Sequence, residues 1–256
     1  MIEAIWPSYK NLHNSLSASA GIDTKNFLSF FLFWLLSLPA LWFPVHKVRH
    51  LFTVKAIYSP IAAIAFFAWA ISRAHGIGPI VHQGSTAHGS TLAWAFVKGV
   101  MSCIGNFAAL IMNDPDFSRF ARTPKDALWS QLLTIPIGFG ITSFIGIIVS
   151  SSSSVIYNGD PIWNPLDLLG MFLDGASSGQ RFGIFVIATG FALAQLGTNI
   201  SANSVSAGTD LTALMPRYLN IRRGSYICAI IGLAMCPVRT SQSHTHTHSL
   251  HKTLHD

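Results

Sequence analysis

Residues 183–207 read GIFVIATGFALAQLGTNISANSVSA, twenty-five residues without one Asp, Glu, Lys, Arg or Pro. A bilayer core about 30 Å thick is crossed by about 20 helical residues. A helix is also the spanning form that satisfies its own backbone groups in lipid. The stretch therefore predicts a transmembrane helix, and its polar residues sit at helical spacing. Gln195, Asn199 and Asn203 fall at i, i+4 and i+8, and the face continues to Ser206 and Asp210. Ala194 and Thr198 form a second four-residue pair beside it. Three amides on one membrane helix must face protein, water or a ligand. Two readings stay open: interhelical bonding beside small residues, or contact with a planar polar solute, toward which an amide both donates and accepts.

The rest of the chain agrees with a membrane location. Of 256 residues, 50% are hydrophobic and only 10% are Asp, Glu, Lys or Arg, and mean hydropathy is +0.46. A soluble surface needs roughly a quarter of residues charged. The composition excludes a soluble enzyme, a disordered chain and a disulfide-stapled secreted domain. Cys103, Cys228 and Cys236 all lie in apolar runs, which argues against extracellular disulfides. The net charge of +6 does not imply a nucleic-acid partner, because most basic residues sit in three short loops.

Four further runs are long enough to span, at about 27–45, 56–73, 91–113 and 128–149, and a shorter one begins at Gly224. Pro39, Pro60 and Pro136 fall inside such runs as tolerated kinks. Lys47, Arg49 and Lys55 follow the first run, Arg119, Arg122 and Lys125 the third, and Arg217, Arg222 and Arg223 the fifth. The intervening loops carry Arg73 alone, then Arg181 against Asp160, Asp167 and Asp174. The positive-inside bias makes the three basic loops cytoplasmic. The first run then enters from outside, and residues 2–6 resemble the last turn of an earlier helix, so an odd number of upstream spans is expected.

Three regions follow: 1–26 as the end of an upstream helix with an extracellular loop, 27–237 as a transporter core segment, and 238–256 as an aberrant tail. That tail is rich in histidine (His244, His246, His248, His251, His255) and follows Cys236-Pro237 abruptly. A frameshift or read-through intron explains it better than a metal site.

The third run repeats the polar spacing with Lys98, Ser102 and Asn106, beside Gly99 and Gly105. Gly105-Asn106 is a candidate mid-membrane break, of the kind transporters use to expose backbone to substrate; a small-residue packing seam is the alternative. Lys98 either takes part in function or snorkels outward. The serine run 150–154 reads as an outer helix end or a small-residue seam. The sequon at Asn199 lies within the bilayer and carries no glycan. Asp114 and Asp116 sit at a cytoplasmic helix end, and no phosphate-cradling loop or nucleophile triad is visible.

Two stretches carry a resemblance. IGNFAALIMNDPDFSRFAR at 104–122 resembles the sixth helix and following loop of the nucleobase–cation symporter family, and AQLGTNISANSVSAG at 194–208 resembles its eighth helix. The chain is most similar to the fungal uracil, uridine and allantoin permease branch, over about residues 2–237. The runs then correspond to helices four to nine of twelve.

The resemblance implies an all-α polytopic membrane protein, part of a leucine-transporter-like fold of two inverted five-helix repeats. It implies a permease, not an enzyme, working by alternating access in the plasma membrane without a cofactor. By position, Asn203 matches the eighth-helix asparagine that hydrogen-bonds the ligand's amide edge. Asn199, one turn earlier on the same face, joins it as a candidate substrate contact. Gly105, Asn106 and Phe107 match the sixth-helix break, where backbone and an aromatic ring meet the flat base; many members have Trp where this chain has Phe107, which weakens stacking. Ala194, Gly197 and Thr198 match cation-site positions. Sodium-coupled members often carry Ser at the place of Gly197, so its absence implies proton coupling, with sodium the alternative and Lys98 a candidate participant. The family's helices one and three, which hold the rest of the cation site, a stacking Trp and an amide-binding Gln, have no counterpart here. Two alternatives follow: a non-transporting fragment, or a thiamine or nucleoside permease of the same family. The implied partners are a small nucleobase or allantoin and the lipid bilayer; no oligomeric state follows.

Overall fold

The computed structural model describes residues 1–16, 21–43, 45–84, 88–118 and 121–235, and every regular element among them is helical. The order is α1 (Ile2–Ile5), α2 (Thr24–Trp42), α3 (Val45–Ala74), α4 (Gly89–Ser118), α5 (Pro124–Tyr157), α6 (Pro165–Met171), α7 (Ser178–Asn199), α8 (Ser206–Leu214) and α9 (Ile221–Met235). Short 3₁₀ turns cover Pro7–Asn11 and Pro79–Val81, and a π-helical segment, Ile200–Val205, joins α7 to α8. Among the described residues, four helical stretches are long and apolar enough to cross a membrane: Thr24–Trp42, Lys47–Ala74, Pro124–Tyr157 and Ser178–Leu214. The chain is thus an all-α polytopic membrane protein. The tail at 238–256 lies outside the described residues.

Each expected run is helical, with shifted ends. α4 continues to Ser118 through Pro115, past the expected end near Asn113. Pro39, Pro60 and Pro136 lie inside α2, α3 and α5. α6 was not foreseen, although its start carries a strong signal. Asn164 Oδ1 accepts from the Leu166 N–H at 3.0 Å, and Pro165 takes the first helical position, where its missing N–H costs nothing.

The chain divides into two compact units, Met1–Thr53 with residues from Gln195 onward, and Val54–Ala194. In the first unit, α9 is held to α2 by side chains that donate to backbone carbonyls. Trp34 Nε1 donates to the Ala229 carbonyl at 3.0 Å, and Tyr226 Oη donates to that of Leu38 at 2.9 Å. Such bonds give an indole and a phenol partners where lipid offers none. α8 and α9 meet at glycines: a Cβ on Gly208 would lie 2.5 Å from the Ile221 carbonyl oxygen, and one on Gly224 would lie 2.8 Å from Gly208 Cα. Close backbone approach through small residues is how membrane helices gain packing without a hydrophobic drive.

In the second unit, α3 lies against α7. Tyr58 Oη donates to the Val186 carbonyl at 3.0 Å, and a Cβ on Gly190 would collide with Ala62 and press on Tyr58. Phe172, just beyond α6, is buried among Phe66, Trp69 and Tyr157, with ring centroids at 6.3, 5.8 and 6.5 Å. The Arg73 guanidinium, in the last turn of α3, sits 4.7 Å over the Phe172 ring, a cation–π contact.

A candidate substrate face on an interrupted membrane helix

The polar face of 195–210 is built on an irregular helix. Residues 178–199 are α-helical, 200–205 are π-helical, and 206–214 are α-helical again. A π segment carries one residue more per turn than its hydrogen-bond pattern in an α-helix allows, and such bulges gather at functional sites. Its trace is visible in the side chains. Ser206 Oγ lies 3.4 Å from the Ser201 carbonyl, five residues back, and Ser225 Oγ lies 2.8 Å from the Ser204 carbonyl and 2.8 Å from that of Ile221. One hydroxyl from α9 thus lies within hydrogen-bond reach of a π-segment carbonyl and of a carbonyl in its own helix, and its single proton serves one of them at a time.

The two sides of this helix differ. Gly197, Ile200, Ser204, Val205, Ser206 and Gly208 are buried, while Gln195, Thr198, Asn203 and Asp210 are exposed and Asn199 is half-buried. Asn203 Nδ2 donates to Asn199 Oδ1 at 2.7 Å. That bond uses one donor of Asn203 and leaves its Oδ1 free to accept; Asn199 keeps its own amide donors. The pair therefore offers an acceptor and a donor side by side, the set that complements the edge of a cyclic amide. The Asn203 backbone carbonyl is met by Cys228 Sγ at 3.9 Å. Exposed amides at this depth are costly against lipid, so the face meets water, ligand or protein.

The remaining sequence-derived residues are distributed as follows. Thr198, on the exposed side, accepts at its carbonyl from Ser201 Oγ at 3.1 Å. Gly197 is buried in the first unit, and Ala194, half-buried, ends the second. Lys98, Ser102 and Gly105 lie on α4 in the second unit, and all three are exposed. The side chains of Asn106 and Phe107 lie outside the described residues. The expected interruption at Gly105 does not occur: α4 runs unbroken from Gly89 to Ser118. Glycine lowers helix propensity by about 1 kcal/mol, yet it keeps its own N–H and C=O in the ladder, so it does not unwind a helix alone. The irregularity falls instead at 200–205, where Ser225 Oγ of α9 lies 2.8 Å from the Ser204 carbonyl.

One polar cluster went unassigned at the sequence level beyond a seam or helix end. Ser150, Ser151, Ser152 and Ser153 are all buried near the end of α5. Ser151 Oγ accepts from the Ile80 N–H at 3.1 Å, and Ser153 Oγ accepts from that of Ile162 at 2.8 Å. The run is therefore an anchor for two loop segments. Among the described residues, no group of three or more His, Cys, Asp or Glu could hold a metal ion.

Comparison with known proteins fits this architecture. The sequence profile of the family described as permease for cytosine/purines, uracil, thiamine, allantoin matches residues 1–251. An uncharacterized permease of Schizosaccharomyces pombe is 52% identical over 238 residues, covering 93% of this chain and 40% of the relative. The uracil permease of Saccharomyces cerevisiae is 49% identical over 86% of this chain and 35% of its own length. The allantoin permease of the same yeast is 48% identical over 89% of this chain and 36% of its own length. The chain thus spans two fifths or less of these relatives. No solved structure matches it. With a profile match over nearly its whole length, the chain belongs to the family of permeases for cytosine and purines, uracil, thiamine and allantoin.

Proposed function

We propose that this chain forms part of the translocation path of a plasma-membrane permease for uracil, allantoin, uridine or a related compound, working by proton-coupled symport and alternating access. The observation that carries the reading is the Asn199–Asn203 amide pair on the π-interrupted helix. Uracil and allantoin, the compounds in the relatives' names, both present a cyclic amide edge with adjacent donor and acceptor. Asn203 is the residue that reads this edge, with Asn199 orienting it. Gly105, Asn106 and Phe107 on α4 are the further substrate contacts that the family resemblance implies, within an architecture of two inverted five-helix repeats. Gly197 brings no hydroxyl to the cation positions it shares with Ala194 and Thr198, which favours a proton over sodium, and Lys98 is the basic group available to take part.

The test is uptake of labelled uracil, allantoin and uridine by cells lacking their own permeases and expressing the complete permease that contains this segment. Asn203→Ala should lower uptake about 10- to 100-fold, the worth of a strong hydrogen bond left unmade. Uptake unchanged for every substrate overturns the assignment. Collapsing the proton gradient should abolish uptake, while replacing sodium should not.

A second reading is favoured by the chain's span of two fifths or less of its relatives. In it, the 256-residue chain expressed alone carries no uptake. Saturable uptake by that chain in a permease-null strain overturns this reading and leaves the first intact.

A further inference from the structure

Within the first unit, a cavity of about 510 Å³ opens between the ends of α2 and α8 and the starts of α3 and α9. Its wall is apolar over much of its extent, from Ala40, Leu41, Val48, Ile200 and Val205. Arg222 and Asn220, at the start of α9 and just before it, also line the cavity. The Arg222 guanidinium is parked 4.9 Å over the ring of Trp42, which is itself exposed. By the positive-inside bias, the basic residues Lys47, Arg49, Arg217, Arg222 and Arg223 around the starts of α3 and α9 put this side of the cavity at the cytoplasmic face. The sole acidic residue on α2, α3, α8 and α9 is Asp210, which does not line the cavity.

A guanidinium beside a largely apolar wall fits an amphiphile with an anionic head. Neither a soluble anion nor a nucleobase uses both parts. We infer that this cavity is a site for an anionic phospholipid of the cytoplasmic leaflet: Arg222 meets the phosphate, and an acyl chain runs inward along Leu41, Val48, Ile200 and Val205. Asn199 and Asn203 do not line it, so the site is separate from the proposed substrate face. It rests on the membrane topology and not on the identity of the transported compound. Basic pockets between membrane helices on the cytoplasmic side bind acidic headgroups in this way. Trp42 marks the rim with a ring at the interface, where aromatic residues anchor helices.

Trp42 also supplies the readout. The 256-residue chain is reconstituted in phosphatidylcholine vesicles containing bromine-labelled phosphatidylserine or, in parallel, bromine-labelled phosphatidylcholine. The chain has seven Trp, so the Trp42 signal is the difference from a Trp42→Phe blank. Half-maximal quenching should need about fivefold less acidic than zwitterionic lipid, the gain expected from one basic residue near a headgroup. Arg222→Gln should erase that preference, whereas Arg217→Gln, outside the cavity, should keep it within about twofold. If Arg222→Gln does not insert as helix, Ala40→Phe, which fills the cavity and keeps Arg222, should erase the preference equally. Equal quenching by the two lipids overturns the inference. So does a preference lost equally in Arg217→Gln, which signals diffuse surface charge. The preference should persist in the complete permease; its absence there means that another segment fills the cavity, and the lipid site is refuted.

Discussion

α4 and the run from α7 to α8 both carry polar residues four apart, but they differ in what stands behind the polar face. On α4 every described side chain from 88 to 105 is exposed, Lys98 and Ser102 included. On the α7–α8 run, the exposed Gln195, Thr198 and Asn203 back onto buried Gly197, Ile200, Ser204 and Val205. A polar stripe becomes a site only when its helix has a fixed rotation, and a packed rear face fixes it. The second helix has that support from α9, and it is also the one with the irregular turn. Backing and interruption meet at one point, where Ser225 Oγ of α9 lies 2.8 Å from the Ser204 carbonyl of the π segment.

The sharpest way to break this comparison is to remove the interruption. Deleting Ala202 should return 200–205 to a regular α-helix and rotate Asn199 and Asn203 relative to α8. The circular dichroism spectrum of the complete permease should hardly change, while uptake falls by about a hundredfold, as expected for misplacement of substrate-holding groups. Normal uptake would mean that the π segment has no bearing on transport.

A matched pair of glycine substitutions tests the backing itself. Gly208→Val drives a side chain into the Ile221 backbone and Ser225 Oγ, 2.5 and 2.9 Å from the new Cβ, so α8 and α9 must part. Overpacking of this kind costs about 1–3 kcal/mol. It should appear as a lowered midpoint of thermal unfolding in detergent. Gly105→Val on α4 meets nothing within 4 Å and should leave that midpoint nearly in place. Equal losses would show that α4 is as tightly packed as α8.

Ser225→Ala is a smaller probe of the same crossing. It removes the hydroxyl that lies 2.8 Å from the Ser204 carbonyl and should cost about 0.6–1 kcal/mol, the usual worth of one hydrogen bond between membrane helices. No change in unfolding midpoint would mean that the π-turn carbonyl finds another partner.

How much of this was legible in sequence follows from the physics of each element. The helices at 24–42, 45–74 and 124–157 announce themselves because hydrocarbon demands long apolar runs and internally satisfied backbone. The amide stripe was legible because its residues are few, costly and evenly spaced. The π turn was not, because it is packed against α9, and spacing along one helix holds no trace of a contact such as that of Ser225 with the Ser204 carbonyl. Gly105 misled in the opposite sense: the glycine is real, but composition alone does not say whether freed backbone groups would find partners. α6 was missed although Asn164-Pro165 spells a helix start, because seven residues make too short an apolar run to stand out. The polyserine run is similar, since its role depends on the Ile80 and Ile162 N–H groups that the loops bring to it.

Lys98 gives the smallest structural effect and the finest discrimination. Its side chain is exposed on α4, so Lys98→Gln should leave stability within about 0.5 kcal/mol, as for surface positions in general. A lysine that only snorkels to the interface would be equally replaceable in function. A lysine taking part in proton coupling would not: in the complete permease, Lys98→Gln should flatten the dependence of uptake on external pH, and Lys98→Arg, which keeps the charge but does not readily release its proton, should behave like the glutamine variant. An unaltered pH profile in both variants assigns Lys98 to the interface. The α4 stripe would then differ from that of α7–α8 in role as well as in packing.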